Sequence, residues 1–398
     1  MIKNIAIIVI DAFRFSNLSL FGYNKEIDKN IKKVAEQSFV FKNFFSCSNA
    51  TAPSLMSIFT GRFPNNHGII HQFPYTKDQE IEKMYVERNF WLPSFLKDKG
   101  FATIAVDWIG MFFKDGFDYY KEREDWQGKM DSSAKFSPAR DTMDLAISKI
   151  GENKANPFFS FIHFWDTHFP FPTTEYEVVE EKQPDEILKE IQGSAQKEFF
   201  KKRIETANLE FYSAGKMAEK YDKAIEEIDK QIGKLYSYLK ENNLLENTAL
   251  FLLGDHGTNL TEHNIYFSSS SLFDQTIHVP FIAFLPGFGK GEVDSFGQNT
   301  DIVPTILELL GQEQEDLWRI DGRSIIDIIK KRKEDRTKVF FFDGLAENIT
   351  GFRTKNSKTI IAKDPFCYLC KSSHHQKEEE YDLEKDPGEI NNLKKVVE

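Results

Sequence analysis

Three cysteines, Cys47, Cys367 and Cys370, are all that this chain of 398 residues contains. So sparse and odd a set offers no disulfide framework. No stretch reaches about 18 uninterrupted apolar residues, the threshold for a membrane-spanning helix. The apolar run Ile5 to Ile10 is too short to cross a bilayer. Only Lys3 is charged ahead of it and no small-residue cleavage site follows, so it does not read as a signal peptide. A basic excess is missing too. The 51 Lys and Arg stand against 62 Asp and Glu, a formal charge of −11, and no nucleic-acid-binding surface is evident. Internal repeats are absent. The expectation is a soluble, cytoplasmic protein without a transmembrane segment. An anionic ligand stays possible, because a bound divalent cation can dominate the field of a site.

What is present is ordinary globular composition, 40% apolar and 28% charged, with 38 phenylalanines as core filler. The length allows one large unit and a smaller one. Ile5 to Ile10 is rich in branched residues and unbroken by charge, the pattern of a buried parallel strand. Phe39 to Phe41, Phe101 to Val106, Pro157 to Phe164, Ala249 to Leu253 and Val279 to Leu285 read as further strands. Ile31 to Gln37, Ser54 to Thr60, Leu92 to Lys99 and Asp301 to Leu310 read as helices. Tyr221, Ile225, Ile228, Ile232, Leu235 and Leu239 form a stripe at helical spacing. This alternation implies a doubly wound, mostly parallel α/β sheet flanked by helices over residues 1–335. Residues 175–218 form a charged, mostly helical excursion from it. Residues 336–398, with short strands at Val339 to Phe342, Gly351 to Thr354 and Thr359 to Ala362, read as a small antiparallel C-terminal subdomain. Lys377 to Glu380 reads as a solvated turn.

Three groups with acceptor atoms stand at or near predicted strand ends: Asp11, Thr51 and Asp255-His256. In open α/β sheets the carboxyl edge is where ligands bind. Two carboxylates, an imidazole and a hydroxyl can together hold one divalent metal ion. Thr51 would sit at the amino end of a helix, where free N–H groups and the dipole favour an anion. Plainer roles exist for the same residues: Thr51 as an N-cap, Asp11 as the cap of a neighbouring helix, Asp255-His256 as a structural pair. Cys367-x-x-Cys370 with His374-His375 has the residue types of a zinc site but tight spacing, and two ordinary buried thiols are the plainer reading.

Thr51-Ala52-Pro53-Ser54, followed by Ser57 and Thr60-Gly61-Arg62, resembles the nucleophile motif of the sulfatase branch of the alkaline phosphatase superfamily. Asn4 to Asp11 resembles that family's opening strand. Pro157 through His163, Asp166, His168 and Pro170 is similar to its histidine-bearing strand. Gly254-Asp255-His256-Gly257, with Glu262-His263 and His278-Val279-Pro280, is similar to its second metal segment, and Tyr381 to Glu389 to its closing stretch. The resemblance spans nearly the whole chain. It implies an alkaline phosphatase-like fold, Asp11, Asp255 and His256 as metal ligands, and Thr51 as nucleophile and ligand. It also implies His168 as a residue contacting the substrate or leaving oxygen, with His163 and His278 as further catalytic candidates and His67 as a substrate-side one.

Departures from the pattern shape the reading. Thr51 stands where sulfatases carry the Cys or Ser that becomes formylglycine, so no formylglycine is expected. Ala12 replaces a second Asp, and Leu55 replaces the signature Arg. Ser268 to Ser271 occupy the stretch where a Lys or His is expected. Arg14, Lys114 or a histidine is then needed to supply positive charge. The expected activity is metal-dependent cleavage, with Mn, Zn, Ca or Mg, of a phosphodiester, phosphonate ester or related phosphoester through a covalent phosphothreonine. The substrate would be a small-molecule, carbohydrate or lipid-headgroup anionic ester. A sulfatase acting without formylglycine, a soluble phosphotransferase and an inactive binding protein of the same fold are the alternatives. The sequence does not fix the oligomeric state.

Overall fold

The computed structural model describes residues 2–87, 90–122, 137–171, 188–189, 191–206 and 214–394. An eight-stranded sheet runs in the order Tyr119–Lys121, Ala102–Val106, Phe158–Phe164, Asn4–Ile10, Thr248–Gly254, Phe281–Phe284, Phe39–Phe41, Gly291–Val293. All neighbours are parallel except Phe281–Phe284, which runs against both of its partners.

The first strand lies between Phe158–Phe164 and Thr248–Gly254, and all seven of its residues are buried. Side chains alternate across a strand, so its two faces feed two cores. Ile5, Ile7 and Val9 join one cluster with residues of the helices Thr51–Thr60, Leu92–Asp98 and Ile302–Leu309. Ile8 and Ile10 join the other, with the helices Lys29–Ala35, Ala139–Asn153 and Ala214–Glu241. The Tyr221-to-Leu239 stripe is the buried face of that last helix. A parallel sheet needs this double cover because neither face can be left to water.

Of the excursion foreseen over 175–218, Ser194–Thr206 is a helix and Ala214 opens the long helix. Much of the remainder lies outside the described residues. Beyond it, four antiparallel strands, Val339–Phe342, Ile349–Arg353, Ser357–Ala362 and Glu378–Asp382, pair in sequence order. The last corrects the turn expected at Lys377 to Glu380. Glu379 and Tyr381 point inward, and Glu379 is tolerated there because His375 Nδ1 lies 2.9 Å from its carboxylate and Gln376 N donates at 2.7 Å. This small sheet shares a core with the main body through Phe45, Phe273, Phe296, Phe341 and Tyr381. Among the described residues, no helix is long and apolar enough to cross a membrane.

Candidate active site

Asp11 follows the first strand and Asp255 follows its neighbour, so the parallel register brings both carboxylates to one sheet edge. Both are fully buried. Asp255 Oδ1 accepts from the amides of Ala12 (3.1 Å) and His256 (2.7 Å). Its Oδ2 and Asp11 Oδ2 have no hydrogen-bond partner. Burial, then the charge of Asp255, holds the Asp11 carboxyl well above the usual carboxylate range. Two buried carboxylates, each with an unsatisfied oxygen, are expensive unless a cation lies between them.

Thr51 is the first residue of the helix Thr51–Thr60, not its cap. Ala50 takes the cap position, and no side chain caps this end. The Thr51 hydroxyl is thereby released to donate to Asp11 Oδ1 at 3.0 Å, with His256 Nε2 at 3.2 Å. His256 Nδ1 donates to the Gly257 carbonyl at 2.7 Å, which leaves the lone pair on Nε2 facing the hydroxyl and the carboxylates. The helix end offers less to an anion than its position implied. The Ala52 amide is taken by Gln72 Oε1 at 2.8 Å, Pro53 has none, and the Ser54 amide is bonded to Ala50.

His163 joins this centre rather than the substrate side. It lies on Phe158–Phe164, and its ligand atom falls within 4.8 Å of those of Asp11 and Asp255. Asp107 Oδ1 accepts from its Nδ1 at 2.7 Å, and its buried Nε2 has no partner. The donor set of Asp11, Thr51, Asp255 and His256, with His163 beside it, fits a divalent ion on three grounds: unsatisfied oxygens, correctly aimed imidazole lone pairs, and mixed N/O chemistry.

The hydroxyl opens into a cavity of about 770 Å³ lined also by His168, Phe169, Lys202, Arg203, Tyr75 and Lys371. His168 thus lines the same cavity as Thr51. Its Nδ1 donates to the Phe169 carbonyl at 2.7 Å. Burial, then the charge of Arg203, lowers its pKa to about 3. The ring is therefore neutral at pH 7, and so low a pKa makes it a weak base.

Three other candidates are not brought to the cavity. The His278 ring is stacked between Phe15 and Phe45, with Nε2 donating to the Lys42 carbonyl at 2.9 Å. His67 is buried under the Thr51 helix, against Ser57 Oγ and the Pro53 carbonyl. Arg14 donates to the Thr258 carbonyl and Glu262. Lys114, the other proposed cation, pairs with Glu122 at the surface. Leu55, where a signature cation was missing, is core. Among the described residues, the cations that do line the cavity are Lys202, Arg203 and Lys371, none of which sequence reasoning singled out, and Arg203 is the least exposed of them. It lies in the charged helix Ser194–Thr206, where it is one of several basic residues with nothing local to single it out. Its guanidinium stacks on Phe169, 4.0 Å from the ring centroid, and donates to the Phe267 carbonyl at 2.9 Å. Burial lowers its pKa only to about 10, so it stays charged at neutral pH.

Arg14 instead ties the loop after Asp11 to the loop after Asp255-His256. Ala12, between Asp11 and Arg14, adopts φ 53°, a left-handed conformation that costs an alanine about 1–2 kcal/mol. Tyr221 supports it, its hydroxyl donating to the Ala12 carbonyl and accepting the Arg14 amide. Burial raises the Glu262 carboxyl, but the charge and hydrogen bonds of Arg14 outweigh burial and bring it to about 2, below its ordinary 4.5. The folded pKa is the lower one. The pair's stabilisation is therefore complete above pH 4.5 and is lost as pH falls toward 2. Glu262→Gln is expected to cost about 1–3 kcal/mol at pH 7 and almost nothing near pH 2. Urea unfolding at a series of pH values measures this, and an equal cost at both ends would refute it.

Residues 3–312 match the Sulfatase family, and residues 261–397 match a second family described as N-sulphoglucosamine sulphohydrolase, C-terminal. An arylsulfatase of Clostridium perfringens is 25% identical, the alignment covering 99% of this chain and 90% of that protein. Human N-acetylgalactosamine-6-sulfatase is 22% identical over 86% of this chain and 68% of its own length. Among solved structures, a protein in complex with its substrate D-glucosamine-2-N,6-O-disulfate superposes with a TM-score of 0.72 at 20% identity, covering 99% of this chain and 93% of that one. The phosphonate monoester hydrolase of Agrobacterium radiobacter gives 0.67 at 16%, covering 98% and 91%. These neighbours share the α/β architecture with its small C-terminal sheet. A family match over 3–312 takes in the Thr51 helix and the Asp255-His256 turn alike, and so the chain whose carboxylates meet at that sheet edge belongs to the sulfatase family.

Proposed function

We propose that this sulfatase-family hydrolase cleaves a phosphodiester, phosphonate ester or related phosphoester through Thr51. The observation that carries the reading is the contact of Thr51 Oγ1 with Asp11 and His256 at the floor of a cavity lined by cations. Asp11, Thr51, Asp255 and His256 would hold a divalent ion. When bound, such an ion lowers the pKa of a hydroxyl and neutralises charge on a transferred group.

The chain's own residues supply the rest. Thr51 Oγ1 attacks phosphorus in line while the bond from phosphorus to the leaving oxygen breaks. Asp11 Oδ1, at 3.0 Å, is placed to accept the hydroxyl proton, while the leaving oxygen, on the far side of phosphorus, takes its proton from water. Water then attacks the phosphothreonine, the bond from phosphorus to Oγ1 breaks, and Thr51 recovers a proton. His168 lines the cavity beside that water, where its neutral ring orients the water by a hydrogen bond rather than acting as a strong base. Arg203, with Lys202 and Lys371, would hold the anionic ester.

Threonine favours phosphorus over sulfur as the centre attacked. Threonine cannot shed either ester by collapse of a hemiacetal, so the intermediate must be opened by attack of water, the route open to a phosphothreonine. A second reading, hydrolysis of a carbohydrate sulfate ester, draws on the names of the sulfatases it resembles. Screening aryl phosphodiester, phosphonate, phosphomonoester and sulfate substrates across Mn, Zn, Ca and Mg separates the two. Turnover of sulfate esters alone would remove the phosphoester reading. For the active substrate, Arg203→Ala should raise KM about 10–100-fold with a smaller change in kcat, and Arg203→Lys should recover part of it. An unchanged KM excludes Arg203 from binding the anion.

A further inference from the structure

The C-terminal sheet carries a second set of metal-type donors that takes no part in the proposed hydrolysis. Cys367 and Cys370 are buried, at 2% and 3% exposure, and both are free thiols. With His374 they form a group whose ligand atoms all lie within 4.8 Å of one another, and Cys370 Sγ is 2.7 Å from His374 Nε2. The backbone explains the convergence. An antiparallel bridge between Phe366 and Ser373 closes a tight loop. Within it the Cys367 amide donates to Ser372, the Lys371 amide donates to Cys367, and Lys371 adopts φ 57°. The loop thereby turns two sulfurs separated by two residues toward one point.

We propose that Cys367, Cys370 and His374 bind a zinc-type divalent cation as a thiolate site distinct from the one at Thr51. Zinc bonds of about 2.3 Å to sulfur and 2.0–2.1 Å to nitrogen put tetrahedral neighbours roughly 3.5–3.8 Å apart, which this group reaches by small side-chain rotations. Gln196 supplies an orienting contact, its side-chain amide lying 3.4 Å from His374 Nδ1. Turned so that its oxygen meets Nδ1–H, that amide leaves the lone pair on Nε2 for the metal. Ser270, whose hydroxyl neighbours Cys367, lines a small pocket with Cys370 and His374, and that hydroxyl or water would complete the set.

The placement gives the site a purpose. Cys367 and Cys370 share a small buried cluster with Leu345 and Ala50, the cap residue of the Thr51 helix, and Cys370 also lines the cavity at Thr51. A metal here would clamp the C-terminal loop to the residue that precedes Thr51. Simple core filling explains two buried thiols, but not an imidazole nitrogen drawn to the same point.

Cobalt(II) tests the proposal, because thiolate-to-cobalt charge transfer absorbs in the near ultraviolet and the O/N site at Thr51 has no sulfur to produce it. Reduced, chelator-treated full-length protein titrated with cobalt(II) should develop that band, saturating by two equivalents with the Thr51 site present and displaced by zinc. The band should persist in Asp255→Asn and disappear in the double variant Cys367→Ser/Cys370→Ser, which keeps Cys47. Wild-type protein that is folded by circular dichroism, reduced, and shows no band overturns the proposal without any variant. So does a band that survives in the double variant.

Discussion

Thr51→Ala lowers kcat/KM on the best substrate by about a thousandfold or more, equivalent to about 4 kcal/mol of transition-state stabilisation. The loss is expected because, among the described residues, no other hydroxyl is placed as the Thr51 one is, with Asp11 at 3.0 Å and His256 at 3.2 Å. The variant should fold normally. Thr51 is not the helix cap, and the first turn is held by the Ser54 amide on Ala50 and by Gln72 on the Ala52 amide. Thr51→Ser, which keeps the hydroxyl, should stay within about tenfold of wild type. Rapid quenching of the wild type with labelled substrate should trap phosphate on Thr51, and the alanine variant should trap none. Full activity in Thr51→Ala, with circular dichroism unchanged, ends the nucleophile assignment.

Asp255→Asn should separate stability from function. Without metal, Asp11 and Asp255 are two buried carboxylates, each with an unpartnered Oδ2. Their repulsion contributes to the raised pKa of Asp11. An asparagine keeps an oxygen for the amides of Ala12 and His256, removes one charge and adds a donor for Asp11. The metal-free variant is therefore expected to gain about 1–2 kcal/mol over metal-free wild type. Metal should reverse the order. A ligand at a thousand times its Kd stabilises the native state by about 4 kcal/mol, and the variant forgoes most of that together with its activity. Thermal unfolding with and without the metal best in turnover assays measures both effects. If the metal-free variant is the less stable of the two and metal still raises its midpoint as in wild type, these carboxylates do not share an ion.

Six of the eight strands of the main sheet and the order of chemistry along the chain were legible in the sequence because both are local, whereas the short edge strands Tyr119–Lys121 and Gly291–Val293 carry too few residues to show a pattern. Ile5 to Ile10 is a buried parallel strand by composition, and Asp11 and Asp255 each end such a strand. The Tyr221-to-Leu239 stripe declares its helix through spacing alone. The strand Glu378–Asp382 was hidden because its charges mask an alternation in which Glu379 and Tyr381 face inward. Only the tertiary structure decided which polar residues meet. It set His163 beside Asp11 and Asp255, left His278 between two phenylalanine rings, and drew Arg203 from a charged helix into the cavity. Each of those outcomes depends on partners far away in the chain, where no periodicity reaches. A short-range pattern records what a segment needs to bury, whereas the neighbours of a single histidine or arginine are fixed by how the layers pack.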